Sequence, residues 1–178
     1  MNLNNASLIK LGNGFEIALI KWNGLTLYQK DQEVVPLYVP GEFKNNTTIT
    51  EVRTMVNDTH TNLSDMFDGC TALTSVDTTN WDTSNVTKMN SMFYNCKLLT
   101  ELDVSNFNTN KVTSMNRMFA SCEALPQLDV SNFDTSNVNN MAFIFYNCKT
   151  LTSLNVNHFN VSKVEYFKHV FASCKLLT

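Results

Sequence analysis

A chain of 178 residues, 43% hydrophobic and 16% charged, makes one domain or one domain with a small appendage. Its formal net charge of −3 supplies no basic face for nucleic acid, and no apolar run approaches the ~18 residues of a membrane span. Met1 to Ser7 lacks the basic start and long apolar stretch of a secretory signal, so the chain is not visibly secreted.

Residues 1–45 stand apart. Gly12, Gly14, Gly24 and Gly41 fall here, four of the five glycines, with Pro36 and Pro40, two of the three prolines. Phe15 to Trp22 and Leu25 to Lys30 are strand-like runs on either side of Asn23-Gly24, the strongest short hairpin signal. Asn13-Gly14 marks a second tight turn. The pattern predicts a small β module of three or four strands over 6–40, too small for a substantial core of its own. It must lean on the rest of the chain or on a partner. The run Ile17 to Lys30 resembles short N-terminal β segments of tailed-phage structural proteins, which implies an anchor to a particle. The alternative is an N-terminal cap for the rest of the chain.

Residues 46–178 repeat. Cys70, Cys96, Cys122, Cys148 and Cys174 are each 26 residues apart, and their surroundings recur at the same offset. A fixed period of this length predicts about five stacked coils in a solenoid. Within each coil the pairs Val76/Thr78, Leu102/Val104, Leu128/Val130 and Leu154/Val156 alternate with Asp77, Asp103, Asp129 and Asn155, as in a short strand with one buried side. Trp81, Phe107, Phe133 and Phe159 come next, filling a corner. A polar cluster such as Asp82-Thr83-Ser84-Asn85 then offers helix N-caps. Val86, Met89 and Met92/Phe93, like Val112, Met115 and Met118/Phe119, have the spacing of a short helix of two to three turns. Gly69, Asn95, Ser121, Asn147 and Ser173 precede the cysteines, where a left-handed residue would end that helix. The five thiols form one column of free, buried side chains, and Met66, Met89, Met92, Met115, Met118 and Met141 belong to the core. His60, His158 and His169 each stand alone, as surface or loop residues.

The run Leu128 to Val138, with Met141 and the Phe145-to-Cys148 block, resembles the BspA-like leucine-rich repeat of bacterial surface proteins, including lipoproteins and adhesins, and of some parasite and viral proteins. The resemblance covers about 47–178. It implies a leucine-rich-repeat solenoid used in adhesion or protein recognition and carries no catalytic residues. The expected fold class is therefore an α/β repeat: a leucine-rich-repeat solenoid of parallel strands and short helices over 46–178, preceded by a small β module over 1–45.

No Gly-rich phosphate loop, Ser/His/Asp set or Cys/His pair appears, so the chain reads as a non-enzymatic recognition protein without cofactor or metal. The Asp77/Asp103/Asp129 column reads as an exposed polar stripe. Asn80, Asn106 and Asn132 form a second ladder, bonding between coils. Solenoids bind with their repeated face, so Asp77, Thr79, Asp103, Ser105, Asp129, Ser131 and Asn155 are the expected ligand-binding residues, for a protein or glycan ligand. The expected setting is a phage virion, as a decoration, tail or fibre component; the alternative is a fragment of a bacterial cell-surface adhesin. Other virion or surface subunits are expected to contact residues 1–45 and the last coil. That coil repeats the core pattern to Thr178 without a polar cap, and is expected to be covered by a neighbour or continued.

Overall fold

The computed structural model describes the strand backbone of 6–11, 16–22, 25–30 and 33–36, then 43–47, 49–53, 56, 58 and 60–178. Strands β1 (Ala6–Leu11), β2 (Glu16–Trp22), β3 (Leu25–Lys30) and β4 (Glu33–Pro36) pair antiparallel in sequence order. Trp22 pairs with Leu25, on either side of Asn23-Gly24. Those two residues, like Asn13-Gly14, lie outside the described set. Strand β1 pairs antiparallel with β5 (Ile49–Arg53), and the register shifts between Lys10 and Leu11. Beyond β5 the pairing becomes parallel, through β6 (Ser75–Asp77) and β7 (Glu101–Leu102). The result is one seven-stranded sheet in the order β4-β3-β2-β1-β5-β6-β7. The N-terminal strands therefore occupy the edge of β5 that would otherwise present unpaired backbone groups.

Strands are expected in every copy, but the ladder thins after β7. Only the bridge Gln127↔Ser153 continues it among the described residues. A proline accounts for the break. Thr74 N–H donates to the Thr50 carbonyl and Thr100 N–H to the Thr74 carbonyl (2.7 and 3.0 Å). The next equivalent is Pro126, which has no N–H to give. Thr152 N–H then donates to the Pro126 carbonyl (3.2 Å), and the pattern resumes.

Where short helices are expected, the described residues form a run of turns. Its backbone is committed sideways. Ser91, Phe93 and Asn95 N–H donate to the Asn116, Met118 and Ala120 carbonyls of the following copy (2.7–2.9 Å), and Arg117, Phe119 and Ser121 repeat this toward Ala142, Ile144 and Tyr146. An amide used this way is lost to an i→i−4 helical bond. The remaining bonds close tight turns, such as Tyr94 N–H to Ser91 and Cys96 N–H to Phe93. Each copy bends twice through the left-handed region. One site is Gly69, Asn95, Ser121, Asn147 and Ser173 (φ 75°, 62°, 60°, 59° and 65°); the other, four residues earlier, is Asp65, Ser91, Arg117, Phe143 and His169 (φ 60°, 52°, 56°, 62° and 57°). Parallel bridges Asn62↔Lys88↔Ser114↔Asn140↔Tyr166 mark the same register.

Between the two ladders lies a core of columns. Phe43, Phe67, Phe93, Phe119, Phe145 and Phe171 stack ring on ring at 5.4–5.9 Å, with planes within 14°. Trp81 and Phe107 stack beside them at 5.5 Å. Leu73, Leu99, Leu125 and Leu151 form another buried column, as do Val86, Val112 and Val138. All five cysteines are free; four are buried and Cys174 is half-buried. Each thiol donates to a phenylalanine carbonyl one copy back: Cys70 to Phe43, Cys96 to Phe67, Cys122 to Phe93, Cys148 to Phe119 and Cys174 to Phe145 (2.8–3.3 Å).

Polar side chains join neighbouring copies as well. Buried Thr83, Thr109 and Thr135 each donate to and accept from the backbone of Asn108, Asp134 and Asn160 respectively (2.7–3.1 Å). The Asn106 amide donates to the Thr78 and Trp81 carbonyls, and the Asn132 amide to those of Val104 and Phe107. His158 takes the next place, its Nε2 3.1 Å from the Val130 carbonyl oxygen. His60, read as a surface or loop residue, lies outside the strands and is buried.

Candidate functional site

The seven residues expected to face a ligand divide by what their side chains already do. Asp103 Oδ1 accepts the Ser105 N–H (2.8 Å), Asp129 Oδ1 the Ser131 N–H (2.9 Å) and Asp77 Oδ1 the Thr79 N–H (3.1 Å). Asn155 Oδ1 accepts the Asn157 N–H in the same way (3.2 Å). These are Asx turns, which leave the strand direction just past each bridge. Hydrogen bonds from the Ser105 side chain and backbone hold Asp103 below the usual carboxylate range, against a smaller upward push from the Asp129 charge. The Ser131 backbone and hydroxyl lower Asp129 similarly. Asp103 and Asp129 are therefore charged acceptors, held in place by their own turns and exposed to solvent.

An open groove crosses three copies on this side. Asp103, Asp129 and Asn155 line it, with Gln127 and Ser153 between them and Leu102, Leu128 and Leu154 beneath. Asp77, Thr79, Ser105 and Ser131 lie outside its lining. Gln127 and Ser153 escape a sequence reading built on positions that repeat in kind. Position 127 carries Ser75, Glu101, Gln127 and Ser153 in successive copies, and that variation is the available signal. The lining combines carboxylates, amides and a hydroxyl over an aliphatic floor. It can accept and donate several hydrogen bonds to a polar ligand.

The last copy differs in exposure. Tyr166, Phe167 and Leu176 are more than half exposed, and the open end of the ring column, Phe171, is 38% exposed. In earlier copies the position of Phe167 holds buried Met89, Met115 and Met141. Among the described residues no helix is long and apolar enough to cross a membrane.

A parallel ladder with an Asx turn in each copy, a column of stacked rings and a column of thiols define a repeat protein. Residues 61–178, well over half the chain, match the family described as Mycoplasma protein of unknown function, DUF285. The chain belongs to that family. The match spans most of the region that resembles the BspA-like repeat and begins beyond Ile17 to Lys30, so it lends nothing to the tailed-phage resemblance. No curated protein and no solved structure matches the chain.

Proposed function

We propose that the protein is a non-enzymatic recognition module displayed at a cell surface. Its copies stack as a leucine-rich-repeat solenoid and hold a polar protein or glycan ligand in the groove of Asp103, Asp129 and Asn155. The observation that carries this reading is the groove itself: three successive copies contribute the same polar position to one continuous open surface. A repeated surface suits an extended ligand better than a small substrate. The family and the BspA-like resemblance support the cell surface as the setting over a virion. The antiparallel strands β1–β4 serve in this reading as an N-terminal cap, because β1 covers the edge of β5.

The test is attachment of the purified chain to a glycan array and to cultured host cells. The paired substitution Asp103→Lys and Asp129→Lys reverses the charge of the groove while leaving its apolar floor. Loss of attachment by a chain that still unfolds in one cooperative transition, at a somewhat lower midpoint because two Asx turns are lost, is the expected result. Attachment equal to that of the parent chain would remove this face from consideration.

A further inference from the structure

The copies differ most on the turn ladder, at positions where the scaffold asks only for a left-handed backbone. That column reads Asp65, Ser91, Arg117, Phe143 and His169. A bulky side chain is a poor choice for φ near 60°. Asp and Ser are easier occupants, yet one copy carries phenylalanine. Phe143 is only half-buried, and its surroundings are specific. The Arg117 guanidinium carbon lies 5.0 Å from the ring centroid and Lys168 Nζ lies 5.5 Å from it. The His169 ring stacks at 5.1 Å and the Tyr146 ring meets it edge-on at 5.8 Å.

Two cations are thus gathered around one ring in a chain of net negative charge. Among the described residues neither Arg117 nor Lys168 has a carboxylate partner, whereas Lys44 pairs with Asp65 and Asp68 (3.2 and 2.9 Å) in the first copy. A cation over a ring face keeps its outward donors. Arg117 gives one of them to Asn116 Oδ1 (3.3 Å) and has others to offer a carboxylate in forked geometry. Arg, Tyr and Phe at the centre of a patch are the composition of a protein-binding hot spot. The Phe143 ring already carries Arg117, Lys168 and His169 against its faces, so it offers a sugar ring little open platform to stack on, while the outward cationic donors remain available to carboxylates.

We infer that the patch of Arg117, Phe143, Tyr146, Lys168 and His169 docks an acidic segment of a protein partner, one carrying carboxylates beside an apolar side chain. This site is separate from the Asp103/Asp129 groove and does not depend on it.

The probe is a synthetic peptide of repeated Glu-Glu-Phe, with a Lys-Lys-Phe peptide and polygalacturonate as comparisons, each measured by interferometry against the full chain. Two substitutions copy residues the scaffold already holds at the same places: Arg117→Ser, after Ser91, and Lys168→Asn, after Asn90 and Asn116. The acidic peptide is expected to bind and the basic one not. Each substitution should weaken binding roughly tenfold, as removal of a charge-assisted bond does, and added salt should weaken it further. Phe143→Ser should abolish it. The Asp103→Lys/Asp129→Lys chain should bind the peptide undiminished, so failure of the groove reading and failure of this one are distinguishable. Absence of peptide binding, equal binding by the Arg117→Ser/Lys168→Asn double variant, or equal binding of polygalacturonate would each overturn the proposal.

Discussion

A buried thiol donating to a carbonyl one copy away is a weak bond, but it satisfies a group that water cannot reach. It also fixes chemistry. Burial pushes the Cys70 thiol up to about 12, and burial likewise raises Cys96 and Cys122. The neighbouring Cys174 sulfur, together with burial, raises Cys148, while the same neighbour draws half-buried Cys174 down to about 7. Alkylation of the native chain at pH 8, read by peptide mass spectrometry, should therefore mark Cys174 alone; labelling of Cys96 or Cys122 without denaturant would refute the column. The four buried thiols keep their protons to higher pH than they would unfolded. Their contribution is complete below about 8.5, the free-thiol value, and is lost as pH rises toward the folded values. Stability should fall above that point by up to ~1.4 kcal/mol per pH unit for each such thiol. Cys174 acts in the opposite sense, but it is one group and partly solvated. Urea midpoints at pH 7.5 and 9.5 measure the sign, and a flat or rising profile would contradict it. Thr109 offers a cleaner substitution. Thr109→Val keeps the shape and removes both bonds to Asp134, leaving a backbone N–H unpaired in a part-buried place. A loss of ~1–3 kcal/mol is expected from chemical denaturation.

At the scale of elements the turn ladder is the instructive case. Val86, Met89, Met92 and Phe93 have helical spacing, and turns closing every three to four residues produce the same spacing. Periodicity reports which side chains are buried; it does not report where the amides go. The left-handed sites at Asn95 and Asn147 are legible in the sequence because Asn favours that conformation. The sites at Arg117 and Phe143 are not, because neither residue does. The thinning of the strand ladder is written in Pro126, visible only when copies are compared place by place. The hairpin flanking Asn23-Gly24 is legible because turn chemistry is local; the docking of β1 on β5 is not, because it joins segments about forty residues apart. In the groove, Asp103, Asp129 and Asn155 are found by alternation, and Gln127 and Ser153 escape because they do not repeat. Two measurements check this scale. Far-UV circular dichroism should lack the helical minimum at 222 nm, and a strong one would restore the helices. Asn95→Gly should be close to neutral, while Asn95→Ala should cost ~1 kcal/mol in thermal or urea unfolding because φ is 62° there.

At the largest scale, stability of the repeat region comes from contacts between neighbouring copies, since its described residues are joined by ladders that run across them. The ring column is the densest of these. Phe119 lies between Phe93 and Phe145 and also meets Phe133 at 6.4 Å. Phe119→Ala should cost ~3–5 kcal/mol, the range for a fully buried phenylalanine, and should uncouple the copies on either side. The measurement closest to the proposed solenoid is ring-to-ring NOE spectroscopy on the chain labelled selectively at phenylalanine. The rings of Phe93 and Phe119 stand 5.9 Å apart, and those of Phe119 and Phe145, and of Phe145 and Phe171, 5.7 Å. Cross-peaks should connect Phe67, Phe93, Phe119, Phe145 and Phe171 in that order and skip none. A folded chain whose spectrum lacks these connections, or links Phe93 directly to Phe145, would show that the copies do not stack in register.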